Sequence, residues 1–543
     1  MSIVRELRQA VVDCNARGLM ESSRWAAQQL AGLPEEETGT GEASLEPVQP
    51  VWSREDDRHA LARCHFDVKE YRSAAHVLSD CTSPKSTFLR LYSLYLAGEK
   101  RKEEERAEAA GGRPPRVSPQ NAELEGLEAE LSRLCAGSAD GFLLYLLGLV
   151  RLDGASLDGA RQALVAAVRA YPANWCAWKA LQRACPDLPA ALALGLPEHP
   201  ARAFFLASLA VDLHDSGEAL GWLEELAPRF PASDVLVQLA AEAHYNLQNF
   251  DEAQALFEDL LARDPHRLEG MDVYSNILYV KEESAALSHL AHSTALNDKY
   301  RTETCCIIGN YHSLKGQHER AAQYFRRALK LNPNCLSAWT LMGHEYVELK
   351  NPPAAIEAYR RAVDVNPRDY RAWYGLGQTY ELVDMPYHAL YYFKRAVFLR
   401  PRDARMWNAM GHCFQAGGEA EYGLAIRCHM RALPHDKEGV SLHELAKLHA
   451  RLGQRAQAAH YHRLVLERMD AEGLEGQDAV EALTYLADCY EAEGDTTAAE
   501  ACLTRLLEYG AHSKESARSA MDQLRCALGS AATPVRPDTP PSR

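Results

Sequence analysis

Histidine and carboxylate side chains at helical spacing are the residues of this chain with the clearest potential for chemistry. His443 and Glu444 begin like a zinc-protease helix, in which a second histidine four residues after the first completes the metal pair. Lys447 stands at that position, and its ammonium group cannot bind a cation. His289 and His292 lie three residues apart without further ligands, so we interpret them as core or surface residues.

A short glycine pattern does not predict a nucleotide site either. Gly375 and Gly377 fall inside a predicted helix, where glycine permits close packing, and not in a strand-to-helix turn. The chain also lacks a Walker A sequence, Gly-x-x-x-x-Gly-Lys-Ser/Thr. We therefore expect no catalytic residue, no metal and no cofactor, and we predict that the protein is not an enzyme.

The sequence repeats itself every 34 residues, first visibly at Trp339, Trp373 and Trp407. An apolar residue, a glycine and then an aromatic residue follow each tryptophan: Met342, Gly343 and Tyr346; Leu376, Gly377 and Tyr380; Met410, Gly411 and Phe414. The second half of the unit carries alanine, an aromatic ring, alanine and proline: Ala355, Tyr359, Ala362 and Pro367; Ala389, Phe393, Ala396 and Pro401. Partial copies of the unit extend towards both ends of the chain.

This period predicts pairs of short antiparallel helices. Apolar residues at spacings of three and four give each helix one apolar stripe. Glycine and alanine let the two backbones approach closely, and the proline ends the second helix. We predict an all-α tetratricopeptide-repeat fold, a superhelical solenoid of antiparallel helix pairs.

Departures from the period predict local irregularities. Leu287 stands where alanine is expected, so that pair should pack further apart, and Ala425 comes two residues late, so its turn should be longer. The register slips between Trp178 and Phe204, among several prolines. Residues 34–50, 100–119 and 530–543 have compositions typical of unstructured chain, although the charge run at 100–106 resembles a solvated helix end.

The repeats divide the chain into three predicted segments. Residues 1–270 form an N-terminal array with irregular units and loops, and residues 271–529 form a C-terminal array with a concave groove. Residues 530–543 form a disordered tail. The repeats occupy nearly all of the 543 residues, which leaves no stretch of domain size for a catalytic unit.

Composition and charge limit which cellular compartments and which classes of partner suit the protein. There are 59 Lys and Arg against 75 Asp and Glu, a net charge of −16, which argues against nucleic-acid binding. The N-terminus is charged from Arg5 onward, and the apolar run at 142–150 is too short to cross a bilayer. We interpret the 14 cysteines as small core residues with reduced thiols. We expect an intracellular protein that does not bind membranes.

The first helix of each repeat should line the concave surface, and its outward positions should face a groove. The residues at those positions are Asn310, Ser313, Thr340, His344, Glu348, Tyr374, Gln378, Glu381, Asn408 and His412. Amides could pair with the backbone of an extended peptide, and Glu348 or Glu381 could accept two hydrogen bonds from an arginine. The alternative is that each is an ordinary solvent-facing residue.

Six segments carry a more specific pattern than the repeat: residues 66–71, 91–95, 271–279, 298–306, 338–346 and 369–380. Together they resemble one known family, the eighth subunit of the anaphase-promoting complex, or cyclosome. The resemblance is detailed from about Phe66 to Phe393, weaker beyond Trp407 and absent from the tail. A short leader around Arg17 and Trp25 is also similar.

This resemblance implies a non-catalytic scaffold subunit of a ubiquitin ligase that acts in cell division, in the nucleus and cytoplasm. It implies a homodimer formed through the N-terminal repeats, residues 1–270, which stacks with sister repeat subunits and scaffold subunits. It also implies that the C-terminal groove helps to dock a propeller-type coactivator through a short N-terminal motif that contains arginine.

A chaperone co-factor that clamps an acidic C-terminal peptide is the alternative function. That clamp needs lysine, asparagine and arginine side chains that converge in one groove. Asn310 is present, but Cys306, Leu341 and Gly375 occupy other clamp positions, and Arg371 is the one basic residue. An acidic groove would also repel the peptide.

Proline-directed kinase sites stand at Ser118, Thr533 and Thr539, each followed by proline. We predict that Thr533 and Thr539 are phosphorylated in mitosis, where each phosphate adds about −1.5 to −2 charges. Mass spectrometry of the protein from mitotic cells should find phosphate on both threonines. Two fully unmodified threonines would contradict the prediction.

Overall fold

A computed structural model describes residues 3–34, 53–110, 120–137, 140–473 and 476–507. Within those ranges the regular secondary structure is helical, with 28 α-helices, which confirms the predicted all-α repeat fold. The tail, the segment 35–50 and the candidate phosphosites Ser118, Thr533 and Thr539 lie outside the described residues. The chain forms two compact units, residues 1–297 and 298–543.

The first unit contains sixteen helices in its described ranges. They are α1 Ile3–Ala16, α2 Met20–Ala31, α3 Arg54–Asp67, α4 Tyr71–Val77, α5 Pro84–Ala110, α6 Leu124–Gly137, α7 Gly141–Asp153, α8 Leu157–Ala170, α9 Trp175–Ala184, α10 Leu188–Leu192, α11 Pro200–Asp212, α12 Ser216–Leu226, α13 Asp234–Asn246, α14 Phe250–Arg263, α15 Met271–Val280 and α16 Ser284–Asn297. The boundary at Asn297 places the pair α15–α16 in this unit, whereas the sequence suggested a division after residue 270.

The second unit contains twelve helices in its described ranges. They are α17 Thr302–Leu314, α18 His318–Leu331, α19 Leu336–Glu348, α20 Pro352–Val365, α21 Tyr370–Leu382, α22 Pro386–Leu399, α23 Ala404–Ala416, α24 Tyr422–Ala432, α25 Val440–Arg451, α26 Arg455–Glu472, α27 Gln477–Glu493 and α28 Thr496–Leu506. Each odd-numbered helix packs against the even-numbered helix that follows it, as the 34-residue period predicts.

Close contact between a glycine and a ring holds these pairs together. A Cβ atom added to Gly377 would lie 2.5 Å from Cδ1 of Phe393, inside van der Waals contact. The same contact recurs at four other pairs: Gly148 with Leu164, Gly309 with Phe325, Gly343 with Tyr359 and Gly411 with His429. The predicted role of glycine in backbone approach is therefore confirmed, and the group it admits is usually an aromatic ring.

A residue with a left-handed backbone ends the first helix of successive pairs. These residues also follow a 34-residue period: His214, Gln248, Glu282, Gly316, Lys350, Asp384 and Gly418, with φ between 54° and 104°. At Lys350 the turn closes with hydrogen bonds from its own N–H to Val347 and from the Asn351 N–H to Tyr346. This conformation costs an L-residue roughly 1–2 kcal/mol, so the packing of both helices must hold the turn.

Tryptophan joins one pair to the next. Each indole Nε1 donates to the carbonyl of the proline six residues earlier, at 2.8–2.9 Å: Trp178 to Pro172, Trp339 to Pro333, Trp373 to Pro367 and Trp407 to Pro401. A second bond crosses two of these junctions, from Arg326 to the Tyr346 hydroxyl and from Arg360 to the Tyr380 hydroxyl. The tryptophan and proline columns of the sequence therefore meet at the junctions between pairs.

The predicted irregularities are present. Helix α16, which carries Leu287, contacts α15 less extensively than the second helix contacts the first in the regular pairs. A 3₁₀ turn, Glu419–Glu421, lengthens the connection before Ala425, and the short helix α10 occupies the region where the register slips. Residues 100–106 continue α5, as expected of a solvated helix end, and side chains such as Arg101 and Glu105 pair along its surface. One expectation is wrong: the helix also includes residues 107–110, which their composition assigned to unstructured chain.

Helices α1 and α2 pack back onto their own unit. The Trp25 ring stacks on Trp175 with centroids 4.7 Å apart. Ser22 is fully buried and donates to Asn174 at 2.8 Å, and Ser233 donates to Gln29 at 2.9 Å. These contacts join positions at least 150 residues apart in the sequence. None of the described helices is both long and apolar enough to cross a bilayer.

Histidine takes the ring position in the pairs α23–α24 and α25–α26, four residues after Ala425 and Ala458. His462 is 3% exposed, and its Nδ1 has no hydrogen-bond partner among the described residues. Burial, together with the nearby His443 and Lys447, lowers the pKa of His462 to about 4, while Glu481 acts in the opposite direction. The folded protein therefore keeps this imidazole neutral.

Replacing Gly377 by alanine should destabilise the second unit. Overpacking against Phe393 costs about 1–3 kcal/mol, while the gain in helix propensity is at most about 1 kcal/mol. Gly423→Ala is the control, because a Cβ there meets no atom within 4 Å. Urea unfolding of the full chain should show a lower midpoint for Gly377→Ala and an equal or higher midpoint for Gly423→Ala. Equal shifts for both variants would contradict the packing argument.

Replacing His462 by leucine, the residue at the ring position in α8 and α12, should reduce acid sensitivity. The unfolded pKa of 6.5 exceeds the folded value of about 4, so the unfolded state binds more protons and stability falls as the pH falls through this window. The loss is on the order of 2–3 kcal/mol. Denaturant unfolding at about pH 7 and about pH 4.5 measures it. The exposed His460→Leu should retain wild-type acid sensitivity; the prediction fails if both variants behave alike.

Candidate functional site

The candidate site is the face of the second unit that its first helices form. Helices α17, α19, α21, α23 and α25 follow one another, and each of the first four contacts the next first helix in addition to its own second helix. This arrangement places them side by side along one face, here called the inner face. Helices α19, α21 and α23 are each covered on three sides, by the preceding first helix, the following first helix and their own second helix. A narrow strip of each helix is therefore left for a ligand.

Six of the ten predicted groove residues reach this strip. His344, Glu348, Gln378 and Glu381 are exposed, and Tyr374 and His412 are half-buried. His344, Gln378 and His412 occupy the same repeat position, 34 residues apart, and Glu348 lies one helical turn after His344. These six residues are the part of the predicted set that the inner face presents.

The other four predicted groove residues are buried, so the expectation that they face a peptide is wrong. Asn310 is 2%, Ser313 6%, Thr340 6% and Asn408 7% exposed. Ser313 donates to Oε1 of Glu345 in the next first helix, at 2.7 Å, and Thr340 donates to the Leu336 carbonyl. The reason for the error is the contact between neighbouring first helices, which covers positions that face away from the second helix.

His344 connects the exposed strip to the tyrosine ring that packs against glycine in its own repeat. The Tyr359 hydroxyl and His344 Nδ1 lie 2.9 Å apart. Enclosure by the surrounding helices, with the positive charge of Arg371, lowers the pKa of His344, although part of its surface is exposed. A neutral imidazole accepts this bond from the hydroxyl, so His344 is oriented by its own repeat.

Carboxylates dominate the charge of the strip. The surrounding protein raises the pKa of Glu381, and the nearby His412 opposes that shift. Glu345, which the sequence did not single out, is 4% exposed and lies 2.9 Å from Nδ1 of His318. Burial raises the pKa of Glu345, while its bonds to Ser313 and His318 lower it. Exposed Glu348 and Glu381 remain available to a basic ligand.

A buried polar network replaces the apolar ring contact between α23, α24 and α25. Asn408 Oδ1 lies 2.9 Å from His429 Nδ1 and also accepts from the Ser441 hydroxyl at 2.9 Å. Gln415 Nε2 lies 3.2 Å from His429 Nε2 and donates to Glu444 at 2.9 Å. Burial, together with His412, lowers the pKa of His429 to about 4. This network sits at one end of the exposed strip.

Three residues of this region combine metal-ligand chemistry with proximity. Ligand atoms of His412, His429 and Glu444 all lie within 4.8 Å of one another. The sequence argument tested spacings within one helix and so missed a group contributed by three helices. The available signal was His429, a histidine in the column where other pairs carry phenylalanine or tyrosine.

The sequence matches known protein families along most of its length. The family model described as anaphase promoting complex subunit 8 / Cdc23 matches residues 2–243. Tetratricopeptide-repeat models match residues 239–275, 302–335, 340–382 and 481–509.

Curated relatives extend the similarity to nearly the full chain. Anaphase-promoting complex subunit 8 of Arabidopsis thaliana is 49% identical and covers 96% of each chain. The Dictyostelium discoideum protein of the same name is 41% identical over 96% of this chain and 97% of the relative. Anaphase-promoting complex subunit CDC23 of Saccharomyces cerevisiae is 30% identical over 65% of this chain and 70% of its own.

One solved structure has a similar fold over most of its length. It is the crystal structure of the APC/C hetero-tetramer Cut9-Hcn1, with a TM-score of 0.57, 16% identity and 97% coverage of both chains. At this identity the likeness concerns the fold alone.

Proposed function

The chain belongs to the family of anaphase-promoting complex subunit 8, or Cdc23. From that premise we propose that the protein is a non-catalytic scaffold subunit of this ubiquitin ligase. We also propose that it acts in the nucleus and cytoplasm. The carrying observation is its 49% identity to the Arabidopsis subunit across 96% of both chains. The arrays of helix pairs suit the role, because stacked pairs give a long surface to several partners at once.

We further propose that the N-terminal array, residues 1–270, forms a homodimer and that the protein stacks with sister repeat subunits and other scaffold subunits. Family membership supports this proposal. The intramolecular packing of α1 and α2, through Trp25 and Ser22, gives the N-terminal array a fixed surface on which a partner could dock.

The inner face of the second unit is proposed to help dock the N-terminal motif of a propeller-type coactivator. Glu348 and Glu381 are exposed carboxylates in neighbouring repeats, and Gln378 offers an amide between them. Carboxylates bind the guanidinium group of arginine through paired, charge-assisted hydrogen bonds. The exposed chemistry of the strip therefore suits a basic, extended peptide.

The chaperone co-factor alternative is not favoured. Its clamp relied on Asn310, which is 2% exposed and therefore not offered to a peptide. The carboxylates of the strip would repel an acidic C-terminus. The relatives named above are subunits of the anaphase-promoting complex.

Reversing two charges of the strip should weaken coactivator binding. In Glu348→Lys/Glu381→Lys, arginine loses its acceptors and meets two ammonium groups. Loss of one charge-assisted bond costs roughly 1.5–3 kcal/mol, which corresponds to about tenfold or more in Kd. Fluorescence anisotropy with a labelled N-terminal segment of the coactivator measures the change, and circular dichroism should show unchanged helix content.

Glu357→Lys is the control for a charge reversal outside the strip. Glu357 is exposed on α20, a second helix, and pairs with Arg361 at 3.2 Å, away from the strip. This variant should bind the segment like the wild type. Wild-type affinity in the double variant would place the peptide elsewhere.

A further inference from the structure

The helix pair α23–α24 departs from the repeat in a way that creates a new set of ligands. His412 on α23, His429 on α24 and Glu444 on α25 place their ligand atoms within 4.8 Å of one another. We propose that these three side chains form a binding site for a divalent transition-metal ion of the zinc type. The proposal is independent of the peptide groove, although His412 borders both.

His429 is oriented as a metal-binding histidine would be. Its side chain is fully buried, and its Nδ1 lies 2.9 Å from Asn408 Oδ1. The amide oxygen can only accept, so the ring proton is assigned to Nδ1, and Nε2 keeps its lone pair. Ser441 holds the same oxygen at 2.9 Å. Protein ligands of zinc commonly have this outer partner, which fixes the tautomer and the ring orientation.

Gln415 lies between two of the proposed ligands, His429 and Glu444. Its Nε2 lies 3.2 Å from His429 Nε2 and 2.9 Å from Glu444 Oε2. An amide N–H group thus interacts with two acceptors that face each other. A divalent cation interacts with the same two lone pairs more strongly. Gln415 is only half-buried, so its side chain can move aside.

His412 supplies the third ligand. Its Nε2 is buried and has no hydrogen-bond partner among the described residues. Buried polar nitrogens normally have a partner, so an unpaired nitrogen within a group of ligands points to a further binding group. Glu381 interacts electrostatically with His412, and its carboxylate adds negative potential beside the site.

The donor set selects the metal class. Two imidazoles and one carboxylate suit zinc, which leaves a fourth position for water, whereas calcium and magnesium prefer oxygen ligands alone. Zinc needs its ligand atoms at about 2.0–2.2 Å, so binding requires the three side chains to move closer together. The three residues lie on α23, α24 and α25, and these helices already contact one another.

Cobalt(II) binding to the chelator-treated full chain tests the proposal. We expect about one equivalent of Co²⁺ to produce the visible d–d bands of a tetrahedral nitrogen and oxygen site, and zinc to displace it. His412→Gln introduces the residue found one repeat earlier, at Gln378, and should abolish these bands. His344→Gln, the same change two repeats earlier, should leave them intact.

Glu444→Gln provides a second variant that keeps the side-chain shape. Its affinity for Co²⁺ should fall by more than the roughly 10–100-fold that loss of an outer partner costs. Zinc should raise the melting temperature of the wild type and of His344→Gln, but not that of His412→Gln or Glu444→Gln. The proposal is overturned by absence of d–d bands in the wild type, by wild-type bands in His412→Gln, or by thiolate charge-transfer bands that assign the metal to cysteines.

Discussion

The fold depends on the absence of a side chain at one position per repeat. Where Gly309, Gly343 and Gly377 stand, a ring from the second helix occupies the space that a Cβ would need. This contact sets the separation of the two helices, and the turn between them then has to close within a few residues. A residue with positive φ at that turn, such as Lys350 or Asp384, lets the backbone reverse direction within this short length.

The same contact explains why the inner face offers so little surface. Closely packed pairs bring successive first helices against one another, and polar residues such as Ser313 and Asn408 are used to join neighbours. A peptide can therefore meet only the edge of each helix. Where His429 stands in place of phenylalanine or tyrosine, the contact becomes polar. Three helices then share a cluster of nitrogen and oxygen atoms in place of an apolar contact.

Much of the fold could be predicted from the sequence because local spacing determines it. The 34-residue columns of glycine, aromatic residues and proline correspond to contacts within one pair or between adjacent pairs, as at Trp373 and Pro367. The candidate site was less predictable. The exposure of Asn310 depends on a neighbouring helix, and the approach of His412 to Glu444 depends on three helices. The helical continuation of α5 to Ala110 and the boundary at Asn297 likewise depend on packing and surface ion pairs rather than on the repeat columns.

The tryptophan–proline bonds make the junctions of the second unit separately observable. Trp339, Trp373 and Trp407 each bridge two pairs, and each indole is half-buried at its own junction. Arrays of this kind unfold through nearest-neighbour coupling and not as one block. Intrinsic fluorescence, with one of these three indoles retained at a time, would therefore report where along the array opening begins and how far it spreads.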